Sequence, residues 1–201
     1  MQRAEPLRRP IVALPPTDAE GETRLAEQDH IEVAVIERTV YLKPFGFATQ
    51  RNSLGIPDFV GAMFRAGCNS VTFDLASCKG MDSTFLGVIA EAAMARVRGR
   101  GRTVIVLNAD ELLARQLRRI GLLPMICLHE GQVDLPAGVE LQQIDFLHFP
   151  KTEYQRIQKV KELHERLAEM NERNRLLFGP FIEMLEEELA PESDEPMVPD
   201  Q

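Results

Sequence analysis

The sequence has no excess of basic residues and no long apolar run. Its 201 residues include 23 Lys+Arg against 31 Asp+Glu, which gives a net charge of −8. A chain this acidic lacks the basic surface that nonspecific binding to a phosphate backbone needs, so we expect no nucleic acid partner. No apolar stretch approaches the roughly 20 residues of a membrane-spanning helix, so we expect no membrane span.

The sequence also lacks paired cysteines and a secretion signal. Cys68, Cys78 and Cys127 form no CxxC pair and are odd in number. This usage predicts reduced thiols that are buried separately, and it excludes a disulfide scaffold. The apolar run at 11–14 is shorter than the roughly 7–15 residues of a signal-peptide core, and two prolines follow it. We therefore expect a cytoplasmic protein.

Motifs for conventional catalysis are missing as well. The chain has four histidines, which are His30, His129, His148 and His164. None stands at metal-ligand spacing from another histidine or a cysteine, so each is interpreted as a surface or core histidine. There is no GxxxxGK[ST] loop for phosphate, and Ser83 lacks the flanking glycines of a nucleophile elbow. We expect no cofactor, no metal and no enzymatic activity. A small enzyme with Ser83 as nucleophile would need a base, and no histidine is close to it in sequence.

The hydrophobic pattern predicts an α/β fold. Residues 1–29 show no sustained periodicity and are interpreted as a flexible N-terminal arm. Strands are predicted at 31–36, 39–42, 70–75, 103–107 and 125–128, and helices at 54–64, 82–98 and 110–120. The resulting order, β-β-α-β-α-β-α-β, predicts a mixed, mostly parallel sheet with right-handed crossovers within residues 30–130.

The C-terminal third predicts a helical extension at 152–190, after a connector at 131–151. Apolar residues that step by three or four predict one long helix over 152–178, which Gly179-Pro180 breaks before a second helix at 181–189. This amphipathic helix either packs on its own domain or forms a self-association seam in which Asn174 sets the register. The acidic residues 191–201 predict a disordered tail.

The segment that joins the strand at 70–75 to the next helix carries the most chemical information. In a parallel sheet, the loops after the carboxyl ends of the strands bind ligands and partners. Asp82, Ser83 and Thr84 would lie in the first turn of the helix, where backbone N–H groups lack partners and negative charge is favoured. A phosphoryl group on Ser83 would be tolerated there. Alternatively, Asp82 or Ser83 simply caps the helix, which contributes about 1 kcal/mol.

These residues resemble a known family. The strand 71–75, the segment 81–89 with Asp82-Ser83-Thr84, the strand 101–107 and the segment 117–122 with Ile120-Gly121 together resemble a STAS domain. Within that family the chain is most similar to the bacterial anti-sigma factor antagonists, over about residues 30–130.

The resemblance implies a switch that phosphorylation controls. The unphosphorylated antagonist binds an anti-sigma factor that is also a serine kinase. Phosphorylation breaks the complex, and a metal-dependent serine phosphatase restores it. By position the acceptor is Ser83, with Thr84 as a possible second site, and the partner-binding residues are Asp82, Ser83, Thr84, Phe85 and Leu86.

Two departures from the family pattern keep other STAS roles open. Phe85 stands where many antagonists carry glycine, and the N-terminal arm and C-terminal helices exceed the minimal domain. The alternative is a non-phosphorylated scaffold, or an accessory subunit of a signalling complex or lipid-transport ABC system, that forms a homo-oligomer through residues 152–190.

Overall fold

The computed structural model describes residues 29–98, 101–129, 131–136, 140–146 and 150–190. The predicted arm, apart from Asp29, and the predicted tail at 191–201 lie outside these residues. The described strands are β1 (His30–Ile36), β2 (Thr39–Ala48), β3 (Ser70–Asp74), β4 (Cys78–Met81), β5 (Thr103–Leu107), β6 (Cys127–His129) and β7 (Gln142–Ile144). The described α-helices are α1 (Gln50–Ser53), α2 (Ile56–Arg65), α3 (Ser83–Arg98), α4 (Glu111–Ile120), α5 (Glu153–Glu169) and α6 (Glu172–Leu189).

The strands form one mixed sheet in the order β6-β5-β3-β2-β1-β7, and β4 also pairs with β2. The pairs β2–β3, β3–β5 and β5–β6 are parallel, whereas β1 pairs antiparallel with β2 and with β7. The predicted α/β class and its mostly parallel sheet are confirmed.

The central strands form because one face of each is apolar and fully buried. In β3 the side chains of Val71 and Phe73 are fully buried, and so are those of Val104 and Val106 in β5. Residues two positions apart lie on the same face of a strand, so these side chains form the core face of the sheet. The core therefore lies around β3 and β5, and α3 connects these two strands along the chain.

Two short strands were not predicted. The segment 76–81 was expected to be a loop, but it contains β4, which pairs with the end of β2. The connector at 131–151 contains β7, which pairs with β1. Both strands have only three or four residues, too few for a periodic signal.

The helical extension breaks at a different place from the prediction. α5 ends at Glu169, and Asn171 caps α6 by accepting a hydrogen bond from the backbone N–H of Asn174 at 2.9 Å. Pro180, predicted to break the helix, lies inside α6. Its missing N–H leaves the carbonyl of Leu176 without a helical donor. The Leu176 side chain is 73% exposed, so water can reach this turn.

α5 and α6 form a hairpin, here called the C-terminal hairpin, that packs against the domain. The apolar stripe of α5, Val160, Leu163 and Leu167, is buried and belongs to the same hydrophobic cluster as the sheet. Each such side chain contributes about 1.5–3 kcal/mol, an upper estimate because the unfolded chain is partly compact. Of the two readings of this helix, the structure therefore shows packing on its own domain.

Cys68 and Cys78 are buried as predicted, and burial raises the pKa of both thiols, but Cys127 is exposed, contrary to the prediction. In the described part of the chain, no helix combines the length and apolar character that a membrane crossing requires.

Candidate functional site: the serine at the start of α3

Asp82 is the N-cap of α3. Its Oδ1 accepts a hydrogen bond from the backbone N–H of Phe85 at 2.8 Å, the contact that defines an N-cap. Its Oδ2 accepts a second one from the backbone N–H of Gln50 at 2.9 Å. The carboxylate therefore holds the starts of α1 and α3 together, and the capping interpretation is confirmed for Asp82.

Ser83 follows the cap and is the first residue of α3. Its side chain is partly exposed, and its Oγ lies 2.9 Å from Nε2 of His164 in α5. The other ring nitrogen, Nδ1, lies 2.8 Å from the backbone carbonyl of Val160. Because a carbonyl only accepts, Nδ1 carries the proton of a neutral ring. Nε2 then accepts the hydrogen bond that the Ser83 hydroxyl donates.

His164 itself is buried, with 2% of its surface exposed. Its ring lies edge-on to Phe178 and Phe181 of α6, at centroid distances of 5.6 and 4.7 Å. Burial lowers the pKa of His164, although the Val160 carbonyl and the Asp82 carboxylate act in the opposite direction. Burial thus favours the neutral ring, and the Val160 contact places the proton of that ring on Nδ1.

The other three predicted site residues lie beneath the surface. Thr84 is 3% exposed and Leu86 is 6% exposed. Phe85 is fully buried, and its ring lies edge-on to Phe73 of β3 at 6.0 Å. Their burial does not match the partner-binding role expected for these three residues, because their side chains pack in the core beneath the first turn of α3. Of the five predicted residues, Asp82 and Ser83 are the ones with partly exposed side chains.

A close helix–helix contact places His164 against Ser83. A Cβ atom added to Gly87 would lie 2.8 Å from both the Cβ and the carbonyl oxygen of Leu163. Only a glycine allows the backbone of α5 this close to α3. One turn further along, Arg166 Nε donates to Glu91 Oε2 at 2.6 Å. These contacts fix the register in which His164 meets Ser83.

A second polar cluster lies at the carboxyl ends of β3 and β5. Asp74, 2% exposed, accepts from Asn108 Nδ2 at 2.6 Å and lies 3.5 Å from Lys43 Nζ. Asn108 also exchanges two hydrogen bonds with the backbone of Val133, at 2.6 and 2.9 Å. The cluster therefore holds the loop after β5 against the connector. These residues were not predicted from the sequence.

The chemistry available at the site follows from these contacts. Ser83 is a hydroxyl with an imidazole at hydrogen-bond distance, as in a nucleophile–base pair. His164, the base of such a pair, is buried against the rings of Phe178 and Phe181. Among the described residues, no group of His, Cys, Asp and Glu is placed to hold a metal ion.

The Ser83–His164 contact was not predicted, because the two residues are 81 positions apart. His164 was correctly interpreted as a core or surface histidine, since it is buried with both ring nitrogens partnered. The apolar spacing of α5 predicted a buried face but not the surface against which that face packs.

No protein-family model matches the chain, and no curated protein sequence matches it. Solved structures of anti-sigma factor antagonists are similar to about half of it. The unphosphorylated form of the antagonist SpoIIAA has a TM-score of 0.42 and 17% identity, over 51% of this chain and 89% of that chain.

Two further structures show similar values. The Bacillus cell fate determinant SpoIIAA in its phosphorylated form has a TM-score of 0.40 and 19% identity, over 51% of this chain and 91% of that chain. A proposed anti-sigma factor antagonist from Thermotoga maritima has a TM-score of 0.45 and 19% identity, over 50% and 86%. At these identities and TM-scores, the similarities assign neither a family nor a role to this chain.

Proposed function

We propose that the chain is a cytoplasmic regulatory protein of the anti-sigma factor antagonist type. It binds an anti-sigma factor with serine kinase activity through the start of α3, and phosphorylation of Ser83 ends that binding. A serine phosphatase reverses the modification. The protein acts by binding and not by catalysis.

The observation that carries this proposal is the position of the Ser83 hydroxyl. It lies beside the Asp82 carboxylate at the first turn of a helix, at the partly exposed edge of that turn. A phosphate there adds about −1.5 to −2 charges next to an existing negative charge. Like-charge repulsion and the cost of desolvating the phosphate would both oppose docking of a partner on this surface.

The test measures binding to the anti-sigma serine kinases encoded in the same genome. Each kinase is purified and titrated calorimetrically with the wild type, Ser83→Ala and Ser83→Asp. We expect one kinase to bind the wild type and Ser83→Ala, and to bind Ser83→Asp about tenfold or more weakly, because a charge placed in an interface costs roughly 1.4 kcal/mol or more.

The control is Leu176→Asp, which adds the same charge at an exposed position of α6. It should bind the kinase as the wild type does. Equal binding of Ser83→Ala and Ser83→Asp would contradict the proposal, and so would the absence of binding to every such kinase.

One observation favours a second candidate, a STAS scaffold that is not phosphorylated. The Ser83 hydroxyl already donates to a buried histidine, so in this protein it has a structural partner. In a scaffold this contact would be permanent, and assembly would use other surfaces, including residues 152–190. A chain that never carries phosphate and whose Ser83→Asp variant binds its partners as the wild type does would match the scaffold.

A further inference from the structure

The C-terminal hairpin lies directly over the hydroxyl that is proposed to be modified. His164 reaches Ser83 from α5, and Leu163 beside it contacts Gly87 one turn along α3. In the side-chain rotamer that the structure shows, a group attached to Ser83 Oγ would point at α5. Along that direction, the 2.9 Å between Oγ and Nε2 leaves no room for a phosphorus atom and its three outer oxygens.

Phosphorylation would also remove the proton on which the contact depends. Nδ1 of His164 already donates to Val160, so Nε2 has a lone pair that needs a donor. A serine hydroxyl supplies one, whereas a phosphoserine ester oxygen has no hydrogen to donate. The modified side chain would instead present a dianion to that lone pair, next to the Asp82 carboxylate.

The surroundings make a local adjustment costly. Phe178 and Phe181 pack against the imidazole ring, so His164 cannot move towards α6 to make room for a phosphate. Burying an unpaired dianion costs more than a few apolar side chains gain from burial. We therefore expect a phosphate on Ser83 to displace α5, and not to be buried beneath it.

Polar contacts join the rest of the hairpin to the domain. Lys159 Nζ lies 3.4 Å from Asp58 in α2, and Arg166 pairs with Glu91 in α3. At the other end, the side-chain amides of Asn171 and Asn174 donate to the carbonyl of Ile120, at 3.1 and 2.9 Å. The hairpin is therefore held by polar contacts at its two ends and by the apolar stripe of α5 between them.

We propose that the C-terminal hairpin is the moving part of the switch: it is seated on α3 when Ser83 is unmodified, and phosphate on Ser83 releases it. This inference rests on the proposed modification of Ser83. It adds that the signal is a change in the position of α5 and α6 as well as a change in charge.

The experiment uses the full chain with phosphoserine incorporated at position 83 during translation, so that no kinase is needed. Hydrogen exchange of the backbone amides, followed by mass spectrometry, is compared among the phosphorylated chain, the wild type and Ser83→Ala. We expect exchange in α5 to rise about tenfold or more in the phosphorylated chain, because a released helix loses its tertiary support. Ser83→Ala should show a smaller rise, since it removes the hydrogen bond without adding charge.

A matched glycine pair tests the seating without any charge. Gly87→Ala places a methyl group against Leu163 and should raise exchange in α5. Gly179→Ala adds a methyl group where the structure has open space within 4 Å, so exchange in α5 should not rise.

Three results would overturn the inference. They are unchanged or slower exchange of α5 in the phosphorylated chain, equal loss of protection in β3 and β5, and unchanged exchange in Gly87→Ala. A chain that releases its hairpin here but carries no phosphate in cells would refute the proposed function and leave this mechanical coupling intact.

Discussion

At the scale of the residue, the contact between α3 and α5 depends on which atom of Ser83 and His164 holds each proton. Ser83 donates to His164, and His164 donates to Val160, so one neutral imidazole links two helices. The sequence alone predicted that Asp82 or Ser83 would cap a helix, because capping depends on neighbouring residues. It could not predict His164, because no local pattern relates residues 81 positions apart.

The buried, neutral His164 predicts a dependence of stability on pH. Burial lowers the pKa of His164 below the ordinary value of 6.5. Below that pH, His164 therefore binds a proton in the unfolded chain before it does so in the folded chain. Stability is then complete above about pH 6.5 and falls by up to about 1.4 kcal/mol per pH unit below it. Urea unfolding at pH 7.5 and 5.5 measures this loss.

The comparison variant is His164→Phe, which keeps a ring between Phe178 and Phe181 but does not titrate. Protonation of carboxylates affects both proteins equally, so the difference between them isolates His164. The wild type should lose more free energy of unfolding on acidification than His164→Phe does. An equal loss in the two proteins would show that His164 is not held neutral.

At the scale of the element, the first turns of α3 and α4 can be compared directly, because an aspartate caps each of them. Asp82 caps α3 and Asp110 caps α4, each with one carboxylate oxygen 2.8 Å from a backbone N–H. Asp82 also accepts a hydrogen bond from the backbone N–H of Gln50, outside its own helix. The boundary between α5 and α6 could not be predicted from the sequence pattern. The new helix begins at the Asn171 cap, whereas Pro180 is tolerated inside α6 because it lies where the helix faces water.

The caps predict unequal losses on truncation. Asp110→Ala should lower the free energy of unfolding by about 1 kcal/mol, the usual value for a lost N-cap. Asp82→Ala should cost more, by about a further 1 kcal/mol, because the N–H of Gln50 loses its acceptor too. Chemical denaturation of the two variants and the wild type gives both values. An Asp82→Ala loss no larger than that of Asp110→Ala would contradict the bridging role.

At the scale of the whole molecule, the sheet was predictable and the placement of the hairpin was not. A central strand such as 103–107 can be predicted from its apolar run. The alternation of such strands with helices predicts that neighbouring strands are parallel. The docking of α5 depends on Gly87, whose role as a point of close approach appears only when Leu163 is placed against it. A sequence shows an apolar face but not its partner.

The central claim, that Ser83 is the residue at which the protein is switched, has one direct measurement. The chain is purified from the cells that naturally make it, with phosphatases inhibited, and its peptides are mapped by tandem mass spectrometry across growth conditions. The account predicts phosphate on Ser83 in a fraction of molecules that changes with conditions. Phosphate located elsewhere, or a Ser83 that is unmodified under every condition, would contradict it.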